Sequence, residues 1–216
     1  SLNSKIEIKW IDSETLTEEK CDKKLSGLDG IIIPGGFGNR GIEGMILAAH
    51  FARTKHLPYL GICLGMQMAI VEFARHVLGY EDANSIELDP ATKHPVIALM
   101  PDQESVEDLG GTLRLGSYPC VLADSSRALE LFGKKEIQER HRHRYEVNNA
   151  YREELAAKGM TIAGTSPDGH IVEMIEIKDH PFYEGTQGHP EFKSRPNKAH
   201  PLFKGFVAAA LAHEEQ

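Results

Sequence analysis

The sequence predicts an α/β protein with an open, mostly parallel sheet flanked by helices and an additional antiparallel portion. In the first half, short apolar runs at 30–34 and 57–62 alternate with helical patterns at 43–55 and 65–78. This order is typical of a parallel sheet covered on both faces. In the second half, strand-like segments follow one another between turns, which predicts the antiparallel portion.

The segments before the first helix have distinct patterns. Residues 5–11 alternate charged and apolar side chains, which predicts a strand with one covered face. Residues 12–24 are polar and predict a loop with a short helix. Residues 30–34 and 57–62 are apolar runs, as expected of buried parallel strands.

Helical spacing and turn residues place the remaining elements. Apolar residues recur at helical spacing over 43–55 and over 65–78, where Gly79 ends the second helix. A last amphipathic helix is predicted over 201–213. The predicted strands of the second half are 95–100, 111–115, 146–148, 160–164 and 171–177. Without repeats or linkers, the sequence predicts a single domain over residues 1–216.

Composition excludes several classes of protein. Hydrophobic residues make up 41% and charged residues 26%, the balance of a soluble globular protein. The net charge of −8 argues against nucleic-acid binding. No apolar run reaches the roughly 18 residues of a membrane span, and the N-terminus lacks a signal peptide's apolar core. Three distant cysteines leave at least one thiol without a bridge, which favours a reducing cytoplasm.

Cys63 is the candidate nucleophile. Gly61, Cys63 and Gly65 form a G-x-C-x-G pattern between a strand and a helix, which is a nucleophile elbow with cysteine in place of serine. We expect a strained backbone at Cys63 and glycines where a Cβ would collide. The helix N-terminus is expected to favour the thiolate, and the Leu64 N–H to donate to an oxyanion. Cys21 and Cys120 have no such context, so a structural role is expected for them.

The glycine loop that follows the first buried strand has two interpretations. Residues 36–41 fit G-x-G-x-x-G, but the acidic residue that a dinucleotide site needs about 20 positions later is missing. The better interpretation is that Gly35 and Gly36 adopt conformations closed to other residues and approach the substrate closely. With Leu64 they would form an oxyanion hole.

The strongest candidate for the base is His189, in His189-Pro190-Glu191. Proline disfavours a helical conformation for the residue before it, so His189 is expected to be extended. Residues i and i+2 of an extended chain share a side, so Glu191 would orient the His189 ring. The result would be a Cys-His-Glu triad.

A second histidine-rich segment spans residues 139–145. His141 and His143 would share one face of a strand, but the flanking arginines oppose a metal cation, so we expect no metal site. A run of exposed charges is the simplest interpretation. Arginines at alternate positions are also suited to bind a carboxylate or phosphate.

Taken together, these motifs resemble the class I glutamine amidotransferases, whose fold is flavodoxin-like, and among them the amidotransferase domain of the CTP synthases. The resemblance covers the chain from about residue 6 onward, with 139–148 its most specific part. The matching segments are 34–38, 61–67, 84–87, 110–116, 139–148, 189–192, 194–196 and 200–203.

The resemblance implies roles for individual residues. Cys63 would attack the side-chain amide of L-glutamine and form a thioester, while His189 acts as base and then acid. Backbone contacts to the substrate are implied at Gly36 and Leu64. Three side chains would recognise the α-amino and α-carboxylate groups of glutamine: Gln67, Glu87 and Arg144.

The resemblance also implies what lies outside this domain. The family's amidoligase half, which binds ATP, magnesium and UTP, is not in this sequence, and no cofactor is expected in the domain itself. GTP regulation, a homotetramer and coupling to the amidoligase are implied for the full-length enzyme, so the domain alone is expected to have weak glutaminase activity. Gly188 replaces an aromatic residue of many relatives, which predicts looser packing of His189.

Two alternatives stay open at this point. In the first, the chain is the glutaminase part of another class I enzyme, such as GMP synthetase or carbamoyl-phosphate synthetase. In the second, it is a non-catalytic thiol sensor on the same fold, although His189 and Glu191 argue against a sensor.

Overall fold

A computed structural model of the chain describes residues 4–99 and 113–215. The strands are β1 (Ile31–Ile33), β2 (Tyr59–Ile62), β3 (Asn84–Ser85), β4 (Pro95–Ala98), β5 (Arg114–Leu122), β6 (Glu136–His143), β7 (Glu146–Val147), β8 (Met160–Thr165), β9 (Val172–Ile177) and β10 (Tyr183–Thr186). The α-helices are α1 (Glu18–Leu25), α2 (Ile42–Thr54), α3 (Leu64–Phe73), α4 (Arg127–Phe132), α5 (Arg152–Ala157) and α6 (Pro201–Glu214).

One seven-stranded sheet has the order β1-β2-β10-β9-β8-β5-β6, and β3, β4 and β7 form a small second sheet. β1, β2 and β10 are parallel, whereas β10 to β6 are joined by antiparallel pairings. The predicted α/β class, with parallel strands and an antiparallel portion, is confirmed, and the parallel part comprises three strands. Thr186 of β10 lies opposite Ile62 of β2, so the carboxyl ends of these two strands meet at one edge.

Apolar side chains cover both faces of the sheet, as the near-continuous apolar runs of the parallel strands require. On one face, α2 and α3 pack over β2 through residues such as Ile46, Met66 and Tyr59. On the other face, Leu60 packs with Phe206 of α6 and with the residues around α4. The side chains of β2 therefore point alternately into two apolar cores. This packing fixes the position of the end of β2, next to Cys63.

Most of the predicted elements are present. α2, α3 and α6 lie where helical spacing predicts them, and α3 continues as a π-helical turn over Ala74–Leu78 that ends at Gly79, with φ 81°. β3, β10, α4 and α5 were not predicted from the sequence, and β6 was anticipated only as a strand that carries His141 and His143. Residues 100 and 111–112 of the predicted strands lie outside the described residues.

The strand predicted at 5–11 is wrong: no strand forms there. Ile6, Ile8 and Trp10 are 61%, 67% and 88% exposed, so no described element covers the apolar side of the alternation. An alternating pattern stabilises a strand only when a neighbour pairs with it and one face is buried. Neither condition is met in the part of the chain that the structure describes.

Candidate active site

Cys63 occupies the turn between β2 and α3. Its φ of 51° and ψ of −103° lie in a region that side-chain-bearing residues rarely adopt, which confirms the predicted strain. The Cys63 amide donates to the Thr186 carbonyl at 2.7 Å and so fixes the turn against β10. Cys63 therefore stands at the carboxyl edge of the parallel strands, where open α/β sheets bind ligands.

The glycines on either side of Cys63 are required by space. A Cβ at Gly61 would lie 2.7 Å from the Gly65 carbonyl oxygen, and a Cβ at Gly65 would lie 2.1 Å from the Ile33 carbonyl oxygen. Both distances are too short for any side chain. The predicted collision is confirmed, and it explains the G-x-C-x-G pattern.

Burial favours the thiol of Cys63 over the thiolate and outweighs the opposite effect expected from the helix N-terminus. Burial raises the pKa of this thiol to about 12, and the nearby carboxylates of Glu146 and Glu191 add to this effect. The Leu64 N–H and the Gln187 side chain lower the pKa, but not enough to offset burial. The thiol therefore needs a base that removes its proton when substrate is bound.

His189 and Glu191 form the predicted pair. His189 Nδ1 lies 2.6 Å from Glu191 Oε1, while the buried Nε2 has no hydrogen-bond partner among the described residues. Burial raises the pKa of Glu191, but the His189 hydrogen bond lowers it, and the net result is below the ordinary value. Glu191 is thus an anion that holds the ring and stabilises an imidazolium, and Nε2 is left to receive a proton.

The route by which the two side chains meet differs from the prediction. His189 is non-helical, with φ −111° and ψ 87°, but Pro190–Phe192 form a 3-10 turn that carries Glu191 back to the ring, so the chain is not extended through Glu191. The looser packing expected from Gly188 is also wrong. His189 is 6% exposed and stacks on Phe192 with ring centroids 5.0 Å apart.

The glycine loop approaches Cys63 and His189 closely. A Cβ at Gly35 would lie 2.8 Å from His189 Cε1 and 3.5 Å from the Cys63 Cβ, and one at Gly36 would lie 3.2 Å from Leu64 Cδ2. Gly35 and Gly36 do not have positive φ, so the expected special conformation is wrong for them. Among the loop glycines it occurs at Gly38 and Gly41, and the need for glycine at Gly35 is spatial.

Of the predicted substrate-binding side chains, Gln67 lies at this edge, in contact with Gln187 after β10. Gln67 is 4% exposed and its Nε2 donates to the Tyr145 carbonyl at 2.9 Å and to Gln187 Oε1 at 3.1 Å. Glu87 lies in an exposed turn after β3. Partial desolvation of its carboxylate raises its pKa, and the positive charge of Arg144 partly opposes that shift. Gln67 contacts Tyr145, and Glu87 is influenced by the charge of Arg144. Because Tyr145 and Arg144 are adjacent in sequence, these two pairs of residues are connected through the chain.

β6 alternates between buried and exposed residues, and this separates its histidines from its arginines. His141 and His143 share the buried face, as predicted, while Arg140 and Arg142 are exposed. Burial lowers the pKa of His141 to about 2, so this ring is neutral. The interpretation as a run of exposed charges therefore holds for the two arginines only.

Beneath the site, buried charges form a network around Arg114. Its guanidinium contacts Glu146 Oε1 at 3.1 Å and Glu173 Oε1 at 2.7 Å, and His143 Nε2 lies 2.7 Å from the same Glu146 oxygen. The second oxygens of Glu146 and Glu173 are buried without a hydrogen bond among the described residues. Of these two carboxylates, Glu146 contributes to the raised pKa of Cys63.

Among the described residues, one group of side chains has the spacing of metal ligands, and it lies away from Cys63 on α2, α3 and the π-helical turn. It comprises His50, Glu72 and His76. Arg53 already holds the Glu72 carboxylate through two nitrogens, at 2.8 and 2.7 Å. A cation would have to compete with that guanidinium.

Gln187 and Glu146 are residues of the site that were not predicted from the sequence. Gln187 precedes His189 by two positions, the spacing that was used to connect His189 with Glu191. That spacing was the available signal. Glu146 gave no comparable signal, because its burial depends on Arg114, 32 positions earlier in the chain.

Comparisons with known proteins agree with the geometry. A family model described as glutamine amidotransferase class-I matches residues 1–209. CTP synthases from Clostridium perfringens and Staphylococcus aureus are 58% and 56% identical over 98% and 97% of this chain. The chain spans 39% of the length of these proteins.

The solved structures agree as well. The glutaminase domain of Trypanosoma brucei CTPS with bound acivicin has a TM-score of 0.93 and 37% identity, and the match covers 98% of this chain and 83% of that one. A putative GMP synthase subunit from Thermoplasma acidophilum, at 20% identity and a TM-score of 0.59, shares the fold. In the described ranges, no helix combines the length and apolar character needed to span a bilayer.

Proposed function

From the premise that the chain belongs to the class I glutamine amidotransferases, and among them to the glutaminase domains of CTP synthases, we propose that it hydrolyses L-glutamine at Cys63. The products are glutamate and ammonia. The observation that carries this proposal is the buried Cys63 thiol at a strained strand–helix turn, close to a histidine that Glu191 orients.

The reaction follows from the positions of these groups. His189 Nε2 takes the proton of the thiol, and the sulfur attacks the side-chain amide carbon of glutamine. The N–H of Leu64, with those of Gly35 and Gly36, stabilises the charge on the amide oxygen. His189 then protonates the leaving nitrogen, the C–N bond breaks and ammonia departs, and water hydrolyses the thioester with His189 again acting as base.

Charges of opposite sign beside the nucleophile are suited to an amino acid. Arg144 would pair with the α-carboxylate of glutamine, and Glu87 with its α-ammonium group. Gln67 has both N–H groups engaged by Tyr145 and Gln187, so its oxygen remains as an acceptor. Glutamine would thereby be held at its backbone end while its amide lies at Cys63.

Covalent labelling tests this assignment directly. The electrophile 6-diazo-5-oxo-norleucine, which carries the amino-acid end of glutamine, is expected to modify Cys63 with one adduct per chain, measured by peptide mass spectrometry. Excess glutamine should slow the labelling because it occupies the same site. Arg144→Gln is expected to weaken labelling without changing the residue that is labelled.

The other two cysteines are internal controls, since both are buried and free. An adduct on Cys21 or Cys120 with Cys63 unmodified would contradict the assignment. Labelling of Cys63 that glutamine does not slow would indicate a reactive thiol without a glutamine site, as in a thiol sensor.

For the whole protein we propose the role of a CTP synthase. The chain, as one domain over residues 1–216, would supply ammonia to an amidoligase domain that aminates UTP with ATP and magnesium, in a cytoplasmic homotetramer that responds to GTP. Mixing it with the amidoligase domain of a CTP synthase should produce CTP from UTP and glutamine. CTP formed with added ammonium chloride but not with glutamine would contradict this pairing.

A further inference from the structure

Gln187 lies beside the nucleophile and has no role so far. It follows β10 as Cys63 follows β2, and these strands pair in parallel with Thr186 opposite Ile62. The Cys63 amide donates to the Thr186 carbonyl at 2.7 Å, and the Gln187 amide donates to the Glu173 carbonyl at 2.8 Å. The backbone of Gln187 is thereby fixed on both sides, and the residue is 0% exposed.

The Tyr145 carbonyl determines how the Gln187 amide is oriented. A carbonyl oxygen only accepts, so Gln67 must present its Nε2 to Tyr145, at 2.9 Å. The same Nε2 donates to Gln187 Oε1 at 3.1 Å. If Gln67 were turned over, its oxygen would face the oxygens of Tyr145 and Gln187 without a proton between them. If Gln187 were turned over, two N–H donors would face each other without an acceptor. Gln187 must therefore direct its Nε2 away from Gln67.

Gln187 is next to Cys63, because Thr186 and Ile62, which precede them, are paired across β10 and β2, and the side-chain atom that Gln187 has left to offer is Nε2. This nitrogen is buried and has no hydrogen-bond partner among the described residues, and its proximity to the sulfur lowers the pKa of Cys63 against the larger effect of burial. A buried N–H without an acceptor is unfavourable, whereas a hydrogen bond to a charged acceptor is stronger than one to a neutral acceptor. Gln187 therefore interacts more favourably with a thiolate than with a thiol.

Resting on the function proposed above, we infer that Gln187 is a further catalytic residue, which donates its side-chain N–H to the Cys63 sulfur as the thiol loses its proton to His189. The sulfur then holds a negative charge between two donors, Gln187 Nε2 and the Leu64 N–H. When the sulfur bonds to the amide carbon, this charge moves to the amide oxygen. Gln187 thus lowers the barrier to the first step.

The charges around the sulfur explain why such a donor is needed. The carboxylates of Glu146 and Glu191 both disfavour a negative charge on Cys63. His189 compensates only after it has taken the proton. A neutral donor from Gln187 stabilises the thiolate without adding a charge that would have to be desolvated in the buried site.

Two substitutions of Gln187 test the inference. Gln187→Met removes the donor at similar length, and Gln187→Glu removes the donor but keeps an oxygen for Gln67. In the folded chain, the rate of Cys63 alkylation by iodoacetamide at a fixed pH between 7 and 10 should fall about ten- to a hundredfold in both variants, the size expected for a lost hydrogen bond to a charged acceptor. Gln138→Met, on the exposed side of β6, is the matched control and should not change the rate.

Steady-state kinetics give a second result. Tyr145 still holds Gln67 in both variants, so kcat should fall by a larger factor than KM rises. If Cys63 were alkylated at the wild-type rate in folded Gln187 variants, the inference would be overturned. If thermal unfolding shows that Gln187→Met is unfolded, the result with Gln187→Glu decides. A wild-type chain without glutaminase activity would refute the proposed function. The comparison of alkylation rates between wild type and the Gln187 variants would still be valid, because alkylation needs no glutamine.

Discussion

Cys63→Ala is expected to lower glutamine hydrolysis by about 10⁴-fold or more, which is the scale on which removal of a nucleophile acts when its partners remain. No other described thiol can replace it, because Cys21 and Cys120 are buried elsewhere in the fold. Without the sulfur, His189 has no proton to take and no thioester can form. The measurement is the rate of glutamate release under saturating glutamine.

The fold should survive this substitution. Alanine keeps the Cβ at the strained backbone position, and the hydrogen bond from the residue 63 amide to the Thr186 carbonyl does not involve the side chain. The midpoint of thermal unfolding should therefore fall by no more than about 4 °C, because the loss of one buried atom costs about 1 kcal/mol.

Cys120→Ala is the matched control for Cys63→Ala. Cys120 is as buried as Cys63, and burial likewise raises its pKa to about 12, but it lies in β5 far along the sheet from β2. It should keep the wild-type rate of hydrolysis. Glutaminase activity that persists in Cys63→Ala, or that disappears in a folded Cys120→Ala, would refute the assigned nucleophile.

The elbow was predictable from sequence because it depends on neighbours in the chain. A strand, a tight turn and a helix N-terminus occupy successive residues, and the glycines at 61 and 65 record the contacts of that turn. The order of β1, α2, β2 and α3 follows from the same local patterns. Chain-local information was sufficient for these features.

The electrostatic state of the site could not be predicted in this way. The pKa of Cys63 depends on its burial and on Glu146 and Glu191, which are more than 80 positions away in sequence. Gln67 and Gln187, whose contact orients both amides, are 120 positions apart. The helix N-terminus was correctly expected to lower the pKa, but only the assembled structure shows that burial is the larger effect.

The failed strand at 5–11 has the same explanation. Alternation states which side of a segment should be covered, but it does not supply the neighbour that covers it. β6 is the converse case. Its charged sequence indicated an exposed segment, yet Glu139, His141 and His143 are buried. The Glu139 carboxylate contacts Lys193 and His200, more than 50 positions later, and His143 contacts Glu146, which Arg114 holds from 32 positions earlier. In both cases a long-range partner decides the outcome.

Gly65→Ala is expected to have the largest effect on stability of any single substitution considered for this chain. Gly65 lies in the first turn of α3, where helix propensity alone would favour alanine by about 1 kcal/mol. The added Cβ, however, would lie 2.1 Å from the carbonyl oxygen of Ile33 in β1. A backbone oxygen in a paired strand cannot rotate away, so α3 and β1 must separate.

Steric overlap should exceed helix propensity by a wide margin. Overpacking of a tight interior costs about 1–3 kcal/mol and sometimes more, and this contact is with backbone, so we expect about 3 kcal/mol or more. For a chain of this length the midpoint of thermal unfolding should fall by roughly 6–12 °C. Urea unfolding should give a lower midpoint concentration with an unchanged m-value.

Gly133→Ala separates this cause from the loss of glycine flexibility. Gly133 has φ 66° but no atom within 4 Å of an added Cβ, so it should cost only the roughly 1–2 kcal/mol of a left-handed alanine. If Gly65→Ala were as stable as wild type, α3 and β1 would have to be further apart than the distance of 2.1 Å between an added Cβ and the Ile33 carbonyl oxygen implies. The tight turn would then no longer explain why glycine stands at position 65, and the strained nucleophile would need another cause.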